Sequence, residues 1–286
     1  MEGMRREPNV YSIDHVEYQA YQEPDLRWLK PYGTVFCVLD GHASGNLLFG
    51  VKGRYGKLFI KYAGAETIGS PALPADAIYT LAQAMPLYER DYPALTRLLA
   101  HGEAGDGYAA IFEWRDAWPL GYDGPDREML DRIRRLPLHT TLTMLDGIFD
   151  LHARLALDGM IASGFHGGHA LIDFGTYEAV ICDISHYRQK PAFNDKGRLL
   201  GSSRFMAPEE YELNAALDET TTAYNMAALA FAFFGSNDDR SRKAWAGPRP
   251  LFEAASRAVQ EKKADRYPSM RAFLDAWRSA VGRCRI

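Results

Sequence analysis

The sequence predicts an α+β fold, with a small antiparallel β-rich first part and a larger, mainly helical second part. Three observations predict it. Short runs rich in β-branched and aromatic residues crowd Gly33 to Tyr62. Apolar residues recur at helical spacing between Leu136 and Leu157 (Leu138, Leu142, Leu145, Ile148, Phe149, His152, Leu155). From Asp126 onward helical pattern dominates. A chain of 286 residues can bury a large core and build two lobes.

Taken in order, residues 1–30 are polar and mixed and form an extension, as either an ordered segment or a flexible arm. Residues 31–118 make the β-rich part. Thr34–Leu39, Asn46–Val51 and Lys57–Tyr62 are its first strands, the last two joined by the turn Lys52-Gly-Arg-Tyr-Gly56. Pro74 to Leu99 reads as helical, interrupted near Pro86 and Pro93. Tyr108–Trp114 is a further strand, whose end connects to residues 119–286. There the long helix up to Leu157 is followed by a hairpin, Ala170–Phe174 and Glu178–Cys182, and then by helices ending with Met270–Trp277. Ala223 to Phe234 is too short to span a bilayer and reads as a buried helix.

Composition narrows the function classes. Hydrophobic residues at 47% and charged residues at 24% fit a globular protein, and a formal net charge of −4 offers no bulk attraction to nucleic acid or anionic membrane. The basic cluster Arg132, Arg134 and Arg135 reads as a solvated helix face. Three cysteines (Cys37, Cys182, Cys284) fit no zinc spacing, and the first two sit in apolar runs. The first residues lack the apolar stretch of a signal peptide. The expected compartment is the reducing cytoplasm, with no nucleic acid and no membrane among the partners.

The densest motif lies late in the chain. Asp183 closes the apolar run Ala179-Val-Ile-Cys-Asp183; a polar loop follows, then Gly201-Ser-Ser-Arg-Phe-Met-Ala-Pro-Glu209. This order resembles the activation segment of eukaryotic-type (Hanks-type) Ser/Thr protein kinases, in a divergent bacterial branch. The resemblance implies a bilobal protein-kinase-like fold that takes ATP and Mg²⁺, with a protein substrate or partner. It implies that Asp183 holds Mg²⁺ on the ATP phosphates and that Ala207-Pro-Glu209 anchors a peptide-binding floor. A turn aspartate in Asp-Ile-Ser is the alternative for Asp183.

The same resemblance assigns earlier residues. Gly41 and Gly45, in Asp40-Gly-His-Ala-Ser-Gly45…Gly50-Val51, resemble a glycine-rich loop, with Val51 on the strand beyond it; the spacing departs from G-x-G-x-x-G. Lys61 stands where the lysine of Val-Ala-Ile-Lys would neutralise the α- and β-phosphates. A solvent-facing edge-strand lysine is the alternative, and alternation along Lys57–Lys61 does not separate the two. Its acidic partner on the following helix falls near Gln83 or Glu89, counted back from Tyr92-Pro-Ala-Leu95.

The catalytic loop His-Arg-Asp-x-x-x-x-Asn reads here Ala162-Ser163-Gly164-Phe165-His166-Gly167-Gly168-His169. Gly164 takes the place of the base aspartate and His169 that of the metal-binding asparagine, and glycine accepts no proton. His166 and His169 form either a His-x-x-His ligand or base pair, or two polar loop histidines. Glu209 and Arg266 correspond to a buried architectural ion pair. Thr222 replaces an aspartate that braces the catalytic-loop backbone. Ser202 and Ser203 are substrate-contacting, phosphorylated or plain turn serines. Two functions remain open: MgATP-dependent Ser/Thr phosphoryl transfer with an impaired base, or a pseudokinase serving as a nucleotide-binding or protein-interaction scaffold.

Overall fold

A computed structural model describes residues 7–54, 56–70, 73–121, 127–235 and 239–284. Tyr55, in the turn after the second of the expected strands, lies outside the described residues. The chain divides into two compact units: Met1–Asp91 with Thr96–Arg115, and Tyr92–Leu95 with Asp116–Ile286. The first is rich in antiparallel sheet and the second is mainly helical, so the α+β class holds.

The first unit opens with a hairpin, β1 (Asn9–Ile13) and β2 (Val16–Ala20), turned by Asp14 and His15 at φ +49° and +69°. β3 (Thr34–Leu39), β4 (Leu47–Gly53) and β5 (Gly56–Ala63) follow as an antiparallel meander. Next come α1 (Pro74–Tyr88), β6 (Leu98–Ala104) and β7 (Gly107–Glu113). The five-stranded sheet runs β3-β4-β5-β7-β6. Its residues alternate between two buried faces. On one, Phe49, Val51, Ile60 and Tyr62 pack with Tyr18, Leu26 and Leu29 from the N-terminal segment. Residues 9–29 are therefore built into the core rather than forming a free arm. On the other face Phe112 packs edge-on against Tyr88 of α1, at 5.0 Å between ring centres.

The helix expected to reach Leu99 ends at Tyr88, eleven residues earlier. Pro86 occupies the last turn of α1, where it takes away one N–H donor, and the helix ends two residues later at Tyr88. Asp91 and Ala94 then take left-handed φ of +51° and +60°, which no helix continues. Leu98 and Leu99 begin edge strand β6, none of whose seven residues is buried, so no buried apolar face marks it in the sequence.

In the second unit, β8 (Trp118–Pro119), α2 (Arg127–Arg134), α3 (Leu138–Leu157), β9 (Met160–Ile161), β10 (Ala170–Asp173) and β11 (Glu178–Ile181) come first. β12 (Arg188–Gln189), β13 (Ala192–Phe193), β14 (Ala216–Leu217), α4 (Glu219–Phe234), α5 (Arg249–Ala258) and α6 (Met270–Arg283) complete it. β10 and β11 form the expected hairpin, with β8 added on the β10 side. α4 is buried along Thr221–Phe234, as its apolar run requires. Asp218 caps it by accepting from the Thr220 N–H at 2.8 Å. Phe149 of α3 packs on Phe273 and Trp277 of α6, with ring centres 5.2 and 5.3 Å apart. The turn Tyr92–Leu95 belongs here: the Ile181 N–H bonds Ala94 O at 2.7 Å and the Tyr92 hydroxyl bonds Asp158. Among the described residues no helix is long and apolar enough to cross a membrane.

Candidate functional site

Lys61 lies on β5, an interior strand, opposite Leu48 of β4 and Ala110 of β7. It is 2% exposed, and its ammonium sits 5.4 Å from the Phe112 ring centre and 5.8 Å from that of Tyr88. The solvent-facing alternative is thereby excluded. Gln83 and Glu89 both lie on the exposed side of α1. Glu89 instead bonds Nε2 of His101 at 2.9 Å, whose Nδ1 meets the Tyr108 hydroxyl at 2.5 Å. The α1 face turned to the sheet carries Leu81, Ala84, Met85 and Tyr88, so neither expected partner reaches Lys61.

Val51 requires a correction. It pairs with Leu58 and is sealed among Tyr18, Leu26 and Leu29. Lys61 stands three residues beyond Leu58, and the period of two therefore puts it on the opposite face of the sheet. A ligand held by Lys61 on the α1 side does not touch Val51. Gly41 is exposed with open space around it. Gly45 turns at φ +76°, its N–H bonding His42 O at 3.1 Å, with Ser70 and Ala77 beside it. A side chain at Gly69 would overlap the Gly41 carbonyl, so this loop rests on Gly69 and Ser70.

In the second unit Asp183 follows β11 and is 5% exposed. Its Oδ1 accepts from the Ser185 N–H at 2.9 Å, so the turn role is real whatever else the carboxylate does. The Cys182 N–H, one residue earlier, bonds His169 O at 2.8 Å and ties this strand end to the degenerate loop. The two histidines of that loop are buried, not polar surface residues. Their ring centres stand 3.7 Å apart, and His166 Nδ1 accepts from the Gly168 N–H at 3.1 Å. Among the described residues no three His, Cys, Asp or Glu side chains are grouped to hold a metal ion, which removes the His-x-x-His metal reading.

The surroundings of Gly164 are shaped by backbone. Gly164 has φ +68°, and a Cβ placed there would stand 3.0 Å from Leu200 O. Gly201, at φ +136°, lies against the Gly164 and Phe165 backbone, and the Ser202 N–H reaches Phe165 O at 3.4 Å. Ser163, Gly164, His186 and Leu200 border a cavity of only about 40 Å³, the size of a water site. Within this unit, the segment leading to Ala207-Pro-Glu209 is thus laid directly on Gly164.

Around it the bracing is intact. Thr222 Oγ1 accepts from the Ala162 N–H at 3.0 Å, so the threonine keeps the backbone contact expected to vanish with the aspartate. Arg266 clamps Glu209 with two bonds, Nη1 to Oε1 at 2.7 Å and Nη2 to Oε2 at 3.0 Å, both side chains buried. Thr221 Oγ1 donates to the same Glu209 Oε1 at 2.7 Å. The ion pair implied by the resemblance is present.

Sequence reasoning missed Glu210. It is fully buried, and its Oε2 accepts from the Ala207 N–H and from Asn225 Nδ2, both at 2.7 Å. Oε1 has no hydrogen-bond partner among the described residues. Burial pushes this carboxyl from 4.5 up to about 7, against the lowering pull of Asn225 and the Ala207 N–H; Glu209 adds to the rise and the Gly164 backbone faces it. Nothing in Pro-Glu-Glu distinguishes the second glutamate from a surface one.

Among known proteins, no family model matches the chain and no curated protein matches it.

Proposed function

We propose that this chain is a protein-kinase-like module of the pseudokinase kind: a nucleotide-binding, protein-docking scaffold in which the general base has been given up. The observation that carries this reading is Gly164. Where a base carboxylate must stand, a Cβ already crowds Leu200 O, and the left-handed φ disfavours any side chain. The Glu209–Arg266 clamp, the Thr222 brace and the buried α4 support the helical framework that the resemblance implies for the docking floor.

ATP and Mg²⁺ are tested by the donor chemistry. A buried ammonium (Lys61) and a buried carboxylate (Asp183) suit phosphate and a hard cation respectively. At position 169 an imidazole replaces an oxygen donor, and no cluster of protein ligands accompanies Asp183 among the described residues. Mg²⁺ commonly binds through one or two carboxylates plus substrate phosphates. These residues therefore fit Mg²⁺ that arrives on the nucleotide, not a separately held ion. Residual Ser/Thr phosphoryl transfer is the second reading, because positioning and charge neutralisation supply most of that catalysis.

The test is thermal denaturation with ATP, in chelator and in Mg²⁺, on wild type, Lys61→Met and Asp183→Ala, with phosphate incorporation followed by mass spectrometry. The scaffold reading expects an ATP-dependent rise in Tm that shrinks in Lys61→Met, and no incorporated phosphate. Phosphate present in wild type and absent from Asp183→Ala establishes the transfer reading instead. No Tm response to ATP leaves docking alone.

A further inference from the structure

The N-terminal hairpin forms one wall of a cavity that the function proposed above does not use. We propose that this cavity binds an aliphatic cation, an ammonium or guanidinium group carried on a hydrocarbon stem. The cavity encloses about 820 Å³ and lies wholly within the first unit, between the β1–β2 turn, residues 23–33 and the β6–β7 turn at Asp106. That volume is within the range of small-ligand sites, roughly 300–1,000 Å³.

Its lining has two chemistries. Ile13, Leu26 and Leu29 give an apolar floor, the last two buried in the core. Four carboxylates stand around it. Asp25 is already neutralised by Arg27, with Nε to Oδ1 at 2.9 Å and Nη2 to Oδ2 at 2.7 Å. Asp14 uses Oδ2 to accept the Val35 N–H at 2.8 Å, which fixes the hairpin tip and leaves its other oxygen open. Glu23 and Asp106 make no side-chain hydrogen bond or ion pair among the described residues. With Arg27 engaged, Lys30 is the remaining cation in the lining, against three carboxylates.

Tyr18 adds a phenol to the same lining. It is 4% exposed and lines the cavity; its ring packs on Tyr11 at 5.8 Å between centres. Its hydroxyl has no hydrogen-bond partner among the described residues. Burial, and then the Glu23 carboxylate, push its pKa up to about 12, so it stays a neutral phenol whose oxygen accepts from an N–H donor.

A point ion does not fit. No three carboxylates converge among the described residues, and they are spread around an apolar floor instead. An extended organic cation matches that spacing, its stem on Leu26 and Leu29 and its charged ends on Glu23 and Asp106. Two sources share the chemistry: a free polyamine, or a lysine or arginine side chain of a peptide.

The experiment is calorimetric titration of the full chain at low salt, with spermidine in one arm and a blocked Arg-Gly-Arg peptide in the other. Glu23→Gln, Asp106→Asn and Tyr18→Phe are compared with wild type, and Glu253→Gln, an exposed carboxylate on α5, is the control for non-specific charge. Saturable binding in either arm is expected. It should weaken about tenfold in each carboxylate variant and several-fold in Tyr18→Phe, with Glu253→Gln unchanged. The responding arm identifies the source. Absence of saturable binding in both arms overturns the proposal, as does equal binding in wild type and all variants.

Discussion

Replacing Glu210 by glutamine is expected to remove a pH dependence of stability that this one carboxyl imposes. The folded protein holds the group at about 7, against an ordinary 4.5. Between those values the native state keeps a proton that the unfolded chain has released, so stability falls as pH rises. The contribution is fully present below about pH 4.5, is lost progressively through pH 7, and stays lost above it. The difference corresponds to roughly 3 kcal/mol, an order-of-magnitude figure for a group with no exposure. Glutamine retains one acceptor for the Ala207 N–H and Asn225, and puts an amide where the protonated acid carries its hydroxyl. The assay is urea unfolding at a series of pH values from 5 to 8.5, followed by fluorescence of the buried Trp245 and Trp277. The wild-type curve alone is ambiguous, because buried His152, lowered from 6.5 to about 4 by desolvation, loses stability as pH falls through that window. The variant shares His152, so the difference between the two proteins isolates Glu210. Variant minus wild type should rise by about 2–3 kcal/mol from pH 5 to pH 8. A flat difference would refute the assignment of a proton to Glu210.

Three further outcomes follow from the same region. Glu209→Ala leaves the Arg266 guanidinium, whose side chain has 0% exposure, without its carboxylate; a loss of about 3–5 kcal/mol is expected in the same unfolding assay, and less in a double variant that also replaces Arg266 by methionine. Thr222→Val preserves shape and removes the acceptor for the Ala162 N–H; it should cost about 1–3 kcal/mol and speed hydrogen exchange at Ala162, and unchanged protection there would remove the bracing role. Gly164→Asp puts a side chain at φ +68° against Leu200 O; it should destabilise by about 1–2 kcal/mol and create no kinase activity in a radiolabelled-ATP assay. Transfer gained by that single change would show that the crowding yields easily.

Much of this was legible in the sequence, and the failures have physical causes. β4, β5 and β7 announce themselves because buried strands need dense β-branched and aromatic content, and β3, though an edge strand, carries the same content in Thr34–Leu39. β6 does not, being an edge strand with Gly102 inside it. The pairings of β9 with β12 and β13 with β14 involve two residues each, too few to leave a period. At the site, the resemblance implied a Glu209–Arg266 pair, which is present, and Thr222 at a position where it bonds the Ala162 N–H. Val51 was misjudged although the answer could be counted. The tight turn pairs Gly53 with Gly56, hence Val51 with Leu58, and parity sends Lys61 to the other face. Glu210 was beyond counting, because its burial depends on α4 passing behind it and on Asn225 reaching out from that helix.

The loop around Gly164 is held tightly. Gly164 at φ +68° and Gly201 at φ +136° touch, each taking a left-handed backbone that side chains disfavour. A side chain introduced at 164 crowds Leu200 O, next to Gly201 and Ser202, whose N–H bonds Phe165 O. Ser202 O in turn accepts the Phe205 and Met206 N–H groups, and Phe205 O is held by Asn225, the residue that also grips Glu210. Opening this position therefore disturbs a chain of hydrogen bonds ending on the buried carboxyl. Ionisation of Glu210, the charge state that burial disfavours, strains one end of that chain without altering any residue of the loop, so segment opening and the charge on Glu210 are linked. Hydrogen exchange at Ser202 and Phe205 should accelerate in Asn225→Ala, which cuts the chain between Phe205 and Glu210. Exchange unchanged at both amides would mean that the loop is held by Gly164 and Gly201 alone.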